Sequence, residues 1–545
     1  MSVLKLISFA SRRVLTDIAV RPQRAAGFQR AAGFQAAAGL QAVGGFIGFQ
    51  GSTNSIRTMS TTNKNETSVK ITVDNMNQNV VKLQYDVRGP IVIRAGEIEE
   101  EMQKGAQKPF KRVIRANIGD AHAMGQTPIT YIRQVIAMVA HPELIESSNL
   151  PKDAKDQARQ ILCGMSGHSA GAYTMSCGVE LIRKNVAAYI EKRDGHKCDF
   201  NNVCLTTGAT TGIKMVLELL CSSIDGKCPA VMVPIPQYPL YSATLVEYGL
   251  GQVGYFLDED NNWGLDMQEL ERAHAEASKT QAVRAIVVIN PGNPTGQVLT
   301  RKNIEDVIKF AYKHKMMLLA DEVYQHNIYA EGCQFFSFKK VITEMGAPYC
   351  KEQELVSFMS ISKGYMGECG LRGGWMEIIN LDPAVQAHLY KALSAILCPT
   401  SLGQAAVDCV AKPPAEGSPS YEQWLAEKTC VLDSLAQRSK IIYETFKNMK
   451  GFKCNVVQGA MYAFPRIELS PKAIEAAKKA NRPPDVFYAY KLLEETGICV
   501  VPGTGFGQKP NTHHFRTTIL PQTELLAEMM DIFQKFHKKF TDEFA

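Results

Sequence analysis

The sequence predicts an α/β protein: a mainly parallel sheet covered by helices on both faces, followed by a smaller α/β domain. Three observations lead there. Short runs that are apolar throughout recur across the middle of the chain, among them "VCLTTG", "PAVMVPI", "RAIVVIN", "MMLLADE" and "LVSFMSIS". Strands buried on both faces read that way. Amphipathic stretches such as "KNIEDVIKFAYKHK" separate some of these runs, as the crossovers of a parallel sheet require. Each run also stops in glycine, proline or polar residues, and ligands of such sheets sit beyond the carboxyl ends of the strands.

Taken in order, the chain opens with a basic leader. Residues 1–60 hold seven basic residues and one acid, Asp17, so they account for the whole net charge of +6 over 545 residues. "LKLISFASRRVLTDIAV" can place its apolar residues on one helix face beside Arg12 and Arg13. An arginine-rich, acid-poor start of this kind predicts a mitochondrial transit peptide, cleaved around residues 50–62 and directing the protein to the matrix. A start at the internal Met59 would instead give a cytosolic form. The repeated "QRAAGFQRAAGFQAAAGLQ" reads as a biased tract, not a solenoid.

The polar linker "MSTTNKNETS" (residues 59–68) leads into an N-terminal segment and arm over 61–130. A large domain over 131–395 follows. It opens on the helix "PITYIRQVIAMVAHPELI", with proline near its first turn. Val179, Ile182, Val186 and Ile190 recur at spacings of three and four, which predicts a second helix closed by Gly195. "NNVCLTTGATTGIKMVLELL" then reads as strand, glycine turn and helix, and the alternation continues to "LVSFMSIS". The smaller domain spans 396–545. A long helical region ("YEQWLAEKTCVLDSLAQRSKIIYETFKNM") leads to strand-like "NVVQGAMYAFPRI", "GICVVPG" and "HHFRTTIL", and an amphipathic helix ends the chain.

Composition excludes several classes of function. The body beyond the leader is neutral, which argues against a nucleic-acid partner. No run of 18 apolar residues is present, so no membrane-spanning helix is expected. Fourteen cysteines are scattered with no C-x-x-C pair, and the eleven histidines include no H-E-x-x-H. They read as free thiols without a metal site.

Chemistry gathers at the strand ends. "TTGATTG" (Thr206–Gly212) joins a strand to a helix through small residues, so the N–H groups of Ala209 and Thr210 can face an anion. "NPGNPTG" offers Asn293 as a side-chain donor. "LADEVY" ends an apolar strand with Asp321, Glu322 and Tyr324, and a buried acid needs a positive partner. "SISKGYMGECGLRGG" holds five glycines, two serines, Lys363 and, nine residues later, Arg372. An amine, a carboxylate for a ring nitrogen, hydroxyl and amide donors and a serine–arginine cup match the needs of pyridoxal phosphate.

These blocks, with "YDVRGPIVIRA", "GHSAGAYTMSCGVELIR", "ADEVYQ", "LRGGWME" and "CPTSLGQAA", resemble the fold-type I, pyridoxal-phosphate-dependent class I/II aminotransferases, and within them the alanine aminotransferase branch. The resemblance runs from about Tyr85 to Arg516. It implies a large domain with a seven-stranded sheet between helix layers, a small C-terminal domain, and a homodimer acting on L-alanine, 2-oxoglutarate, pyruvate and L-glutamate. Carried over by motif, Lys363 would hold the cofactor as a Schiff base and shuttle a proton. Asp321 would pair with the pyridine nitrogen, Asn293 and Tyr324 would bind the ring oxygen, and Tyr238 would stack on the ring. Ala209, Thr210, Ser360, Ser362 and Arg372 would hold the phosphate. Arg516 would clamp the substrate carboxylate, with Gly119 in "NIGDAH" touching substrate. Tyr173, His168 and Ser169 would come from the partner subunit or cap a helix, while Glu322 and Cys369 read as structural. Most relatives place the phosphate arginine eight residues after the lysine; the gap of nine here is shared by the alanine branch.

The competing readings are a related aminotransferase using glyoxylate or another amino donor, a lyase of the same fold, and a silent cofactor-binding regulator. The last would need a DNA-binding appendage or a missing lysine, and the sequence has neither.

Overall fold

A computed structural model describes residues 70–545; the expected leader over residues 1–60 lies outside them. Its centre is a seven-stranded sheet in the order β1-β7-β6-β5-β4-β2-β3. The strands are β1 (Val203–Thr206), β2 (Cys228–Ile235), β3 (Gly251–Phe256), β4 (Gln281–Ile289), β5 (Met317–Asp321), β6 (Leu355–Ser360) and β7 (Gly374–Ile379). β2 pairs in parallel with β3 and β4, β4 with β5, and β5 with β6. β7 runs antiparallel between β1 and β6. Every residue of β1, β5 and β6 is buried, as their unbroken apolar sequences require.

Two strands escaped the sequence reading, each for a physical reason. β3 contains Gly251 and Gly254 and lies at the sheet edge with only alternate residues buried, so it lacks an apolar run. β7 begins in glycine and carries a charge, Glu377, inside the sheet. That carboxylate pairs with the equally buried Lys339 and accepts from the Cys198 thiol at 3.0 Å.

Both helices read ahead of the sheet form, over Thr130–Ala140 and Glu180–Asp194. The first lacks a side-chain cap of its own. Glu427, from the long helix Tyr421–Lys447, accepts from the Thr130 N–H and hydroxyl at 2.7 and 2.6 Å instead, meeting the unpaired donors of a helix start. The second ends where Gly195 turns left-handed at φ 76°. Helix Ser401–Ala411 packs against both.

The C-terminal region holds a small antiparallel sheet of Val501–Pro502, Phe515–Thr518 and Tyr462–Ala463. Phe446, Phe452, Tyr488, Phe515 and Phe533 pack beneath it with edge-on and stacked rings. The closing amphipathic helix is Thr523–Glu543. The segment before residue 120 belongs here as well. Ile114 exchanges backbone hydrogen bonds with Gly497 and Cys499, and Ala116 accepts from Thr518.

The Lys339–Glu377 pair gives a direct test of this sheet. Lys339→Ala strands a buried carboxylate and should cost about 3–5 kcal/mol, whereas a Lys339→Met, Glu377→Leu double variant should recover most of it. Denaturant midpoints of the three proteins measure the difference.

Candidate active site

The sheet register builds the site. β7 starts at Gly374, which pairs with Thr206 at the end of β1 and with Ser360 at the end of β6. The chain leaving β1 and the chain leaving β6 therefore emerge side by side. A Cβ on Gly374 would lie 2.5 Å from the Met359 carbonyl oxygen and 3.1 Å from the Ala209 nitrogen, so the three backbones meet closely only around glycine. After β1, Gly208 (φ 73°) turns the chain into helix Ala209–Glu218, whose first N–H groups have no side-chain cap. After β6, Ser360 accepts from the Ser362 N–H at 3.1 Å.

Arg372 closes this corner. The nine-residue path from Lys363 passes through a single 3₁₀ turn, Cys369–Leu371, and leaves Arg372 in the left-handed region at φ 54°, which non-glycine residues seldom adopt. Its guanidinium donates to the Ser362 hydroxyl (3.3 Å) and the Cys369 carbonyl (3.0 Å). It rests on Gly208, where a Cβ would meet it at 2.4 Å. Ala209, Thr210, Ser360, Ser362 and Arg372 all line one cavity of about 770 Å³.

Asp321, Tyr324, Tyr238, Asn293, Lys363, Gly119 and Arg516 line the same cavity. The structure thus brings together every site residue named above for this chain. The Lys363 amine donates to the Gly119 carbonyl at 2.8 Å. Asp321 ends β5 fully buried; its Oδ2 accepts from the Tyr241 hydroxyl at 2.9 Å, while Oδ1 has no partner. Burial lifts this carboxyl from an ordinary 3.8 to about 6, against the opposing pull of Tyr241, the Val323 N–H and Lys363. Glu322 faces away, accepting from the Phe338 N–H at 2.8 Å, and burial raises it to about 8. Tyr238 shares a hydrogen bond of 2.8 Å with Tyr85.

Arg516 is 1% exposed. It donates to Asn293 Oδ1 at 3.1 Å and to the Asn117 carbonyl at 2.7 Å, and its Nε has no partner. The guanidinium lies over the ring of Tyr462 at 4.2 Å. Tyr462, Tyr85, Arg88 and Cys369 also line the cavity. Tyr462 and Tyr241 were invisible in the sequence because "GAMYAF" and "PLYSAT" read as ordinary apolar strand and helix. Cys369, read as structural, reaches the cavity while donating its thiol to the Ser362 carbonyl at 3.1 Å. Tyr173 is 73% exposed and, with His168 and Ser169, lies outside this cavity's lining.

A mainly parallel sheet with a cation-rich cavity at its strand ends defines a class. The family model for aminotransferase class I and II matches residues 144–532, and the chain belongs to that family. Among curated proteins it is 54% identical over 476 residues to alanine aminotransferase 2 of Xenopus laevis, covering 87% of this chain and 88% of the relative. The same identity holds with human alanine aminotransferase 1, covering 87% and 96%. A probable mitochondrial alanine aminotransferase of Dictyostelium discoideum is 44% identical over 485 residues, covering 87% and 90%. Of solved structures, an alanine aminotransferase from Pyrococcus furiosus superposes with a TM-score of 0.67 at 23% identity, covering 85% of this chain and 100% of that one. An Escherichia coli aminotransferase gives 0.66 at 22%, covering 85% and 98%. Both show the shared fold.

The family's cofactor is pyridoxal 5'-phosphate, and the residues present fit it. The unpartnered Asp321 Oδ1 is an acceptor awaiting a protonated ring nitrogen. The uncapped helix start beside two serines and an arginine suits a phosphate, and the Lys363 amine lies on the same cavity wall.

The Asp321 carboxyl carries a pH signature. Its folded pKa exceeds the unfolded value, so burial costs nothing below about pH 4 and destabilises the cofactor-free protein as pH rises through 6. Asp321→Asn should therefore gain stability relative to the parent between pH 4 and 7, by ~2–3 kcal/mol in the cofactor-free chain. The same variant should lose cofactor affinity. Chemical denaturation across pH and cofactor titration read the two effects.

Proposed function

We propose that this protein exchanges the amino group between L-alanine and 2-oxoglutarate, forming pyruvate and L-glutamate by a ping-pong sequence. The observation that carries this reading is its 52–54% identity to alanine aminotransferases over 87% of the chain, joined to a cavity that assembles the expected groups. Bound pyridoxal phosphate supplies an electron-accepting ring that stabilises negative charge at the substrate Cα. Asp321 keeps the ring nitrogen protonated, and Tyr241 orients that carboxylate. Ala209, Thr210, Ser360, Ser362 and Arg372 hold the phosphate, Tyr238 covers the ring, and Tyr324 and Asn293 address its oxygen. Arg516 binds the α-carboxylate and so fixes the Cα–H bond relative to Lys363. The Lys363 amine, held at the Gly119 carbonyl, removes the Cα proton and later returns one.

The second carboxylate of 2-oxoglutarate needs a further cation. Arg88 lines the cavity in addition to Lys363, Arg372 and Arg516, and it is exposed, so it fits a group that enters with only one of the two substrates. A homodimer completes the reading. The segment before helix Glu180–Asp194 presents Tyr173 and Met175 at 73% and 71% exposure, suiting contribution to a second copy's site. The division into a large domain (131–395) and a small one (396–545), after an N-terminal arm, belongs to the same proposal. The basic leader and the Dictyostelium relative's name support the mitochondrial matrix.

A coupled assay with L-alanine and 2-oxoglutarate should yield pyruvate, and Lys363→Ala should abolish it. Rapid turnover of another amino donor, or of glyoxylate as acceptor, with no pyruvate formed from L-alanine and 2-oxoglutarate would redirect the substrate assignment. Arg88→Gln should separate the half-reactions: glutamate and 2-oxoglutarate should slow by ~10–100-fold while alanine changes little. Stopped-flow measurement of each half-reaction decides this.

A further inference from the structure

The loop between Lys363 and Arg372 is gripped from outside the cavity. Its own backbone is permissive: Gly364 and Gly367 sit at φ 71° and 65°, a region that glycine enters freely. Arg372 follows at φ 54°, where a side chain is strained unless its surroundings hold it. Glu368 lies within this loop, 2% exposed and outside the cavity lining. Its carboxylate accepts from Nε and Nη2 of Arg133, both at 2.8 Å, the two-point geometry that fixes direction as well as distance. Arg133 belongs to helix Thr130–Ala140. Just ahead of that helix, Gln126 donates to the Tyr365 carbonyl at 2.9 Å. His122 shares a hydrogen bond of 3.1 Å with the Met366 carbonyl. Residues 365, 366 and 368 are thus each held by one neighbouring segment.

Glu368 is also where the loop turns toward the phosphate corner. Its N–H donates to the Ile361 carbonyl at 3.0 Å, between Ser360 and Ser362. Its carbonyl accepts from the Leu371 N–H at 3.3 Å, closing the turn that delivers Arg372. The next carbonyl, that of Cys369, accepts from the Arg372 guanidinium at 3.0 Å. A buried carboxylate is a costly way to stabilise a turn, so its contribution here is direction.

We propose that Glu368 is a positioning residue: clamped by Arg133, it aims the Arg372 guanidinium and the Ser362 hydroxyl at the cofactor phosphate without touching it. The inference rests on the phosphate role proposed above for Arg372.

The test compares pyridoxal phosphate with pyridoxal, which lacks the phosphate, on the full-length protein stripped of cofactor. Calorimetric titration of Glu368→Gln and of Arg133→Met should show pyridoxal phosphate weakened about tenfold, with pyridoxal changed less than about twofold. Combining the two substitutions should weaken it no further than Arg133→Met alone, because both remove one interaction. Glu368→Gln keeps the shape and strands no charge, so the comparison survives if Arg133→Met fails to fold. Arg372→Met is the reference. If it loses pyridoxal phosphate selectively while Glu368→Gln weakens both ligands equally, or neither, the inference is overturned and the role of Arg372 stands. Additive losses in the double variant would overturn it as well. Equal loss of both ligands in Arg372→Met would instead overturn the phosphate role of Arg372, and this inference with it.

Discussion

The close passage of three backbones at Gly374 is the constraint on which the site depends. β7 enters antiparallel between β1 and β6, and its first residue pairs with the last residues of both. With no side chain there, the helix start at Ala209 and the loop carrying Ser362, Lys363 and Arg372 share one corner. Any Cβ would have to displace a carbonyl oxygen at 2.5 Å and an amide nitrogen at 3.1 Å, and both belong to buried main chain that cannot yield cheaply. The phosphate-type donors are therefore placed by sheet geometry, and their side chains only complete the arrangement. Arg372 pays for its part in a left-handed backbone, the kind of local strain that functional sites retain.

The charges in the cavity follow from that geometry. Lys363, Arg372 and Arg516 face a space in which Asp321 is a deeply buried acid. Such a balance favours anionic ligands twice over, once for a phosphate and once for a substrate carboxylate. Asp321 sits apart from this logic. Its half-satisfied, burial-raised carboxyl is costly alone and would be relieved opposite a protonated nitrogen, as in the role proposed for it.

Much of this was legible because the chemistry lies at the ends of apolar runs. Lys363 and Asn293 follow, and Asp321 ends, a stretch that reads as a buried strand, and a parallel sheet collects such ends along one edge. What stayed hidden depends on pairing between distant segments. β7 could not be read as the wedge of the sheet because glycines and a buried Glu377 mask it, and its charge makes sense only once Lys339 is opposite. Tyr241 lies on a helix and meets Asp321 from 80 residues away. Tyr462 gives no signal of its own; its importance comes from Arg516, Lys363 and Gly119 closing around it. The nine-residue loop, whose path no spacing rule supplies, is resolved by one 3₁₀ turn and by positive φ at Gly364, Gly367 and Arg372.

The segment from Ile114 to Gly119 joins the region before the large sheet to the C-terminal sheet. Its backbone is stitched to Gly497, Cys499 and Thr518, so it is joined to the C-terminal sheet that carries Arg516 and Tyr462. Its carbonyls nevertheless hold the reacting groups: Asn117 accepts from Arg516 and Gly119 accepts from Lys363. A displacement of the C-terminal sheet would therefore shift Arg516 and loosen the anchor of the Lys363 amine at once. Glycine at 119 lets that coupling be tight, because the anchor is a carbonyl and no side chain stands between Lys363 and Tyr462. On the proposed roles of Arg516 and Lys363, positioning of substrate and readiness of the base would depend on one connected stretch of backbone rather than on two independent ones.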